Sequence, residues 1–154
     1  TAIQANDLVG RKTARDGGTV AKAIAAQIRQ TEAELAKGSS NAQAVGKRLA
    51  AAREAFEQAV DFIVANTKGN PNAAFAGSVP YLMLAGNLVA GWQMARALLV
   101  AEALSAKGQD KAFMDAKIIT ARFYADHILS RAPGVAASIV DGAEGVTAMA
   151  IEAF

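Results

Sequence analysis

The residues able to do chemistry are few and scattered. The single histidine, His127, stands beside Asp126 and one helical turn from Arg122 and Arg131, a grouping with the outline of an acid/base pair. It has no recognisable nucleophile partner, and a lone histidine is far more common as a surface or capping residue, so no catalytic residue is assigned. The chain contains no cysteine, which removes disulfides, thiolate nucleophiles and sulfur-ligated metals. One histidine is also too few for a zinc or di-iron centre, and no metal site is expected. The glycine pair Gly17-Gly18 lies between helical segments and lacks the context of a phosphate loop or a dinucleotide fingerprint. Arg96 and Arg122 sit in otherwise apolar surroundings and are candidates for ion pairs between helices or between subunits.

Such groups need a scaffold, and its pattern is helical. The 154 residues are 53% hydrophobic with 3 prolines, enough for one domain with a sizeable core. Apolar residues recur every three to four positions. The expected fold class is all-α, an up-down helical bundle of four to five main helices around a central apolar helix. That central element is residues 73–107, which carry no charge before Arg96 and are apolar on nearly every face. In a soluble protein such a helix should be enclosed by more polar neighbours.

Breaks in the pattern delimit the other helices. A first helix over residues 2–14, with Ile3, Leu8 and Val9 available for packing, ends at Asp16-Gly17-Gly18, where paired glycines tolerate a left-handed exit. Residues 19–37 place Val20, Ala23, Ile24, Gln27, Ile28, Thr31 and Leu35 on one stripe, with Lys22, Arg29, Glu32 and Lys37 outward. Ser40 to Gln43 matches a capping box for a third helix over residues 41–67. Its Val45, Leu49, Ala52, Phe56, Val60 and Ile63 step as a bundle seam, and Lys47, Arg48, Glu54, Glu57 and Asp61 are read as a solvated surface.

Gly69-Asn70-Pro71 then stops one helix and starts the next. Pro80 predicts a kink or a fresh start, and Gly86 and Gly91, each costing about 1 kcal/mol against alanine, imply close-packed neighbours. Trp92 belongs to the core or to an interface. A further helix over residues 111–131 holds Phe113, Ala116, Ile119, Phe123, Tyr124 and Ile128. Pro133-Gly134 leads to a short helix over 135–141 and an apolar tail, whose Met149, Ile151 and Phe154 are expected to dock back on the bundle.

Charge narrows the partners. Sixteen basic residues are interspersed with fourteen acids, for a net charge of +2, so the basic stripe that nucleic acid requires is absent. Residues 69–95 are uncharged over a length that would span a membrane, about 20 residues. Asn70, Asn72, Ser78, Asn87, Gln93 and Pro80 within them, and the lack of flanking basic clusters, argue against a span. Reversible contact with a membrane surface is retained as a rival reading, as is a free-standing module that binds a partner helix in an apolar groove. Residues 1–15 show no apolar signal-peptide core. A start without methionine, directly in a helical pattern, is read as a cut within a longer polypeptide.

Several stretches resemble one family. Thr1-Ala2-Ile3-Gln4-Ala5-Asn6-Asp7-Leu8-Val9-Gly10-Arg11-Lys12, followed by Asp16-Gly17-Gly18, resembles the segment just after the catalytic glutamate of long-form bacterial acyl-CoA dehydrogenases. Val79-Pro80-Tyr81-Leu82, Gly91-Trp92, Ala95-Arg96, Ala116-Lys117 and Thr120-Ala121-Arg122-Phe123-Tyr124-Ala125 resemble their extra C-terminal domain, as in the 3-methylmercaptopropionyl-CoA dehydrogenase-like group. The resemblance implies a parent that oxidises acyl-CoA to 2-enoyl-CoA with FAD and passes electrons to an electron-transfer flavoprotein in the cytoplasm. It places the catalytic Glu just upstream of this chain, because Ile3-Gln4 match the end of the motif that begins with it. Thr1 and Ala2 are then the cofactor-binding candidates, and the fragment alone is expected to hold no FAD. The resemblance further implies that residues 1–18 finish the preceding helical domain and linker. Residues 19–154 become a C-terminal helical bundle with a structural role, covering the catalytic body of the same polypeptide and supporting a homodimer. Glu144-Gly145-Val146-Thr147-Ala148 fits the family pattern less well.

Overall fold

The computed structural model describes residues 2–153, and among these it is all-α. Five longer helices make the bundle: α2 (Thr19–Leu35), α3 (Ser40–Asn66), α5 (Ser78–Ala106), α6 (Lys111–His127) and the shorter α7 (Ala132–Val140). They are preceded by α1 (Ala2–Asp7), which continues as a π-helical segment, Leu8–Ala14, and are interrupted by α4 (Pro71–Ala76).

The sequence punctuation acts largely as written. Gly17 and Gly18 adopt φ of 66° and 79°, and the Asp16 carboxylate closes the turn by accepting from the backbone N–H groups of Gly18 and Val20. Asn70 caps α4, its Oδ1 accepting from Ala73 N, with Pro71 in the first turn where no N–H is needed. Pro80 sits in the first turn of α5, so the fresh start is the outcome and the long helix runs on unbroken. The cap of α3 is shifted from the expected Ser40 to Ser39, whose Oγ accepts from Ala42 N while Gln43 donates back to the carbonyl of Gly38. Two consecutive serines offered the same motif. The extended backbone of Ser39 decides between them.

α3 carries the core. Val45, Leu49, Ala52, Phe56, Val60 and Ile63 are all buried, as the seam pattern predicts. α5 is the helix that everything else touches, with α1, α2, α3, α6 and α7 all against it. Its Tyr81, Leu84, Leu88, Gly91, Ala95, Leu98 and Ala101 face inward. Gly91 has the close neighbour its presence implied, because a Cβ there would lie 2.6 Å from Leu129 Cδ2, whereas the neighbour expected at Gly86 is missing, a Cβ there meeting nothing within 4 Å.

Three further expectations are corrected, and the orientation of α6 is settled. α5 is central but not enclosed: Val79, Met83, Val89 and Val100 are exposed along its outer side. A helix touched by neighbours on one side only needs apolar residues all round if something else covers the remainder. On α2 the buried stripe keeps the expected Ile28, Thr31 and Leu35 but adds Ala21 and Ala25 and leaves Val20, Ala23 and Gln27 exposed. On α6 the small residues Ala121 and Ala125 face the bundle. Small side chains allow close helix approach, and that contact turns Phe113, Ile119 and Phe123 outward, Ile119 being 70% exposed. The tail does not dock through its large residues, since Met149 and Ile151 stand at 61% and 84% exposure; Phe154 lies outside the described residues.

Candidate functional site

The π-helical segment Leu8–Ala14 brings the first functional arrangement together. A π turn inserts an extra residue per hydrogen-bonded ring and often marks a functional position; here Arg15 N donates to the Gly10 carbonyl and Gly18 N to that of Thr13. Thr13 is thereby turned inward, where its hydroxyl and that of Tyr81 on α5 share a buried hydrogen bond of 2.9 Å. The Tyr81 ring stacks on Phe56 of α3, with centroids 5.7 Å apart and planes 1° from parallel. Burial pushes the Tyr81 phenol up to about 12, with the Thr13 hydrogen bond opposing it. The phenol therefore stays protonated near neutral pH and serves as a pin between three elements rather than as an acid or base.

Beside this pin, a groove of about 400 Å³ runs between Leu8–Ala14, α2 and α5. Leu8, Val20, Ile24, Leu82, Gly86 and Val89 line it, Phe56 and Tyr81 form part of its floor, and Lys12 is its one charged lining residue. Apolar concavities of this kind bind apolar matter. Val20, expected on the inward stripe of α2, instead belongs to this wall, while Ile24 both lines it and packs against the core.

A second arrangement was invisible in the sequence. Arg53 of α3 is 6% exposed and donates from Nε and Nη2 to the two carboxylate oxygens of Glu32 on α2, at 2.8 and 3.1 Å. It also donates to Glu57 at 2.7 Å and Glu54 at 3.3 Å, and Arg29 reaches Glu57 from α2. The Glu32 hydrogen bond raises the Arg53 guanidinium pKa against the opposing effect of burial, and the group is a fixed cation in any case. Two cations and three carboxylates hold one another here, with no group left to transfer a proton. Glu54 and Glu57 thus belong to an ion network clamping α2 to α3, not only to a solvated surface. The single local signal was the Arg53–Glu57 spacing of four, while Glu32 is 21 residues away.

The remaining candidates do not assemble. Asp126 directs its carboxylate to Arg122 at 2.6 Å and Arg48 at 3.5 Å. The Arg122 hydrogen bond chiefly, with Arg48, holds that carboxyl below the ordinary aspartate value. His127 instead lays its ring on Phe123, 4.4 Å between centroids, on the exposed side of α6, so the acid/base pair does not form. Among the described residues neither Arg122 nor Arg96 forms the expected ion pair between helices: Arg122 pairs with Asp126 on its own helix and reaches α3 by a hydrogen bond to Asn41 at 3.3 Å. Arg96 bonds Gln93 and lies over Trp92, and Trp92 donates to Thr31 Oγ1 at 2.8 Å, tying α5 to α2. Among the described residues no group of three or more His, Asp or Glu side chains is placed to hold a metal, and no helix is long and apolar enough to cross a membrane.

Thr1 lies outside the described residues, and Ala2 opens α1 at an exposed position. A methyl group and one backbone amide at a helix edge do not fit a flavin by themselves. Ala2 suits at most the flank of a site built on other protein.

A family model described as acetyl-CoA dehydrogenase C-terminal like matches residues 20–150. The chain is 53% identical over 129 residues to the 3-methylmercaptopropionyl-CoA dehydrogenase of Ruegeria pomeroyi, an alignment covering 84% of this chain and 22% of that protein. It is 31% identical over 145 residues to the broad-specificity linear acyl-CoA dehydrogenase FadE5 of Mycobacterium tuberculosis, with coverage of 84% and 22%. The chain therefore spans about a fifth of the length of these curated relatives.

Proposed function

The chain belongs to the acetyl-CoA dehydrogenase C-terminal-like family, and from that premise we propose that it is the accessory C-terminal domain of an FAD-dependent acyl-CoA dehydrogenase. The observation that carries the reading is the match over residues 20–150 joined to 53% identity with a dehydrogenase whose remaining length lies outside this chain. The proposed parent removes the α-proton and β-hydride of an acyl-CoA thioester to leave a 2-enoyl-CoA. A glutamate upstream of Thr1 is its base, FAD its hydride acceptor and an electron-transfer flavoprotein the onward acceptor, all in the cytoplasm. Thr1 and Ala2 are proposed to flank the flavin from the end of the preceding domain. A boundary between residues 1–18 and 19–154 is supported by the start of the family match at residue 20.

The domain's own work is structural. Its polar groups are satisfied within the bundle, and among the described residues no buried side-chain nitrogen or oxygen lacks a partner. Its apolar surface is in excess, with Met83, Val89, Val100, Phe113, Ile119 and Phe123 exposed, and such surface is characteristic of interfaces. Covering the catalytic body and joining a second subunit are the two roles assigned to it.

Purifying the chain with and without the sequence that precedes it tests the proposal. The long polypeptide is expected to carry flavin absorbance and to reduce an artificial electron acceptor with acyl-CoA, and the chain alone to do neither. Turnover by the chain alone would overturn the reading, as would a native reading frame with no flavin-binding body ahead of Thr1.

A further inference from the structure

We infer that the groove between Leu8–Ala14, α2 and α5 seats an apolar segment of the polypeptide joined ahead of α1, with Gly86 at the point of closest approach. The inference rests on the reading above that a catalytic body precedes this chain.

The two glycines within α5 carry the first step. Each costs about 1 kcal/mol relative to alanine in a helix interior, so each needs a reason. Gly91 has one inside the chain, because a Cβ would meet three atoms of Leu129 at under 3 Å. Gly86 has none: a Cβ built there meets nothing within 4 Å. A position that pays for the lack of a side chain, faces open space and lines an apolar groove is accounted for by matter outside the chain that comes near the backbone. The exposed residues around it are of the same character, with Met83 at 56% and Val79 at 47% exposure.

Chain continuity selects the occupant. One wall of the groove is the N-terminal segment itself, through Leu8, Lys12 and Thr13, and the hydrogen bond from Thr13 to Tyr81 fixes that wall to α5. Leu8 is six residues from Ala2, within about 10 Å at about 1.5 Å per helical residue. Protein entering through α1 is therefore delivered to the mouth of the groove. A tether this short gives an effective concentration of about millimolar or above, so modest apolar contacts suffice to hold the docked state. Lys12, the one charge in the lining, suits a carboxylate or the free carbonyls of a helix C-terminus on the occupant.

The test uses the long polypeptide. Met83→Cys places a thiol beside the groove for a short thiol-to-amine cross-linker; it is the one thiol within residues 1–154, which contain no other cysteine, and links that start from it are identified by mass spectrometry. The expected products are links within one molecule to residues ahead of Ala2, reduced at least tenfold by Gly86→Leu. Links between two copies would overturn the inference in favour of a dimer contact, and so would links unaffected by Gly86→Leu or no links at all. Should Gly86→Leu unfold the bundle, hydrogen exchange on unmutated protein decides: residues 79–89 are expected to exchange more slowly in the long polypeptide than in this chain alone, and equal rates would overturn the inference. Flavin content and acyl-CoA turnover are read on the same samples. Activity without cross-links defeats the docking site alone, whereas absence of a flavin enzyme defeats the functional reading and this inference with it.

Discussion

The inward and outward sides of α5 are built from similar residues and meet different surroundings. Leu84, Leu88 and Leu98 are almost wholly buried in the bundle, while Val79, Met83 and Val89 on the same helix stand open. Gly91 is filled by Leu129 and Gly86 by nothing in the chain. The comparison teaches that composition states how much of a helix wants cover. It does not state who provides it.

Substitutions on the two sides should separate cleanly. The largest effect belongs to the closed side: Leu98→Ala is expected to destabilise the chain by about 2–5 kcal/mol through lost burial and a residual cavity, measured as a lower midpoint in urea unfolding. Gly91→Val comes next, at about 1–3 kcal/mol, because a β-branched side chain collides with Leu129; a loss of less than half a kcal/mol would show that the contact can relax. Tyr81→Phe, which leaves the buried Thr13 hydroxyl without its partner, should cost about 1–2 kcal/mol and loosen hydrogen exchange over residues 8–14. On the open side the sign reverses, and Gly86→Ala should stabilise this chain by up to about 1 kcal/mol in thermal melts. Met83→Ala is the smallest, within about 0.5 kcal/mol of zero. An open-side substitution as damaging as Leu98→Ala would dissolve the distinction.

How much of this was legible in the sequence depends on range. The α3 seam, the Asn70-Pro71 start, the new beginning at Pro80 and the close neighbour of Gly91 all follow from periodicity or from the stereochemistry of one residue, and all are present. On α2 the expected stripe holds at Ile24, Ile28, Thr31 and Leu35 and fails at Val20, Ala23 and Gln27, Val20 continuing the apolar stripe onto a groove wall. On α6 the apolar residues alone left the inward face open, and Ala121 and Ala125 make the contact; a period reveals a face, and contact with α5 and α3 decides which face is used. Arg53 could not be singled out, since its chief partner, Glu32, comes from another helix. The pairing of Thr13 with Tyr81, across 68 residues, left no local trace. The family resemblance supplied what patterning could not, the family to which the chain belongs.

The hydroxyl pair of Thr13 and Tyr81 has a mechanical consequence. It rivets the entering strand of the polypeptide to the middle of the bundle, so that α1 is not a loose leash. A twist applied ahead of Ala2 would be transmitted to α5 and, through the stacked Phe56, to α3. In the proposed parent, any swivel between this bundle and protein joined ahead of α1 would lie upstream of the rivet, and cutting the rivet would turn a stiff coupling into a slack one without detaching either part.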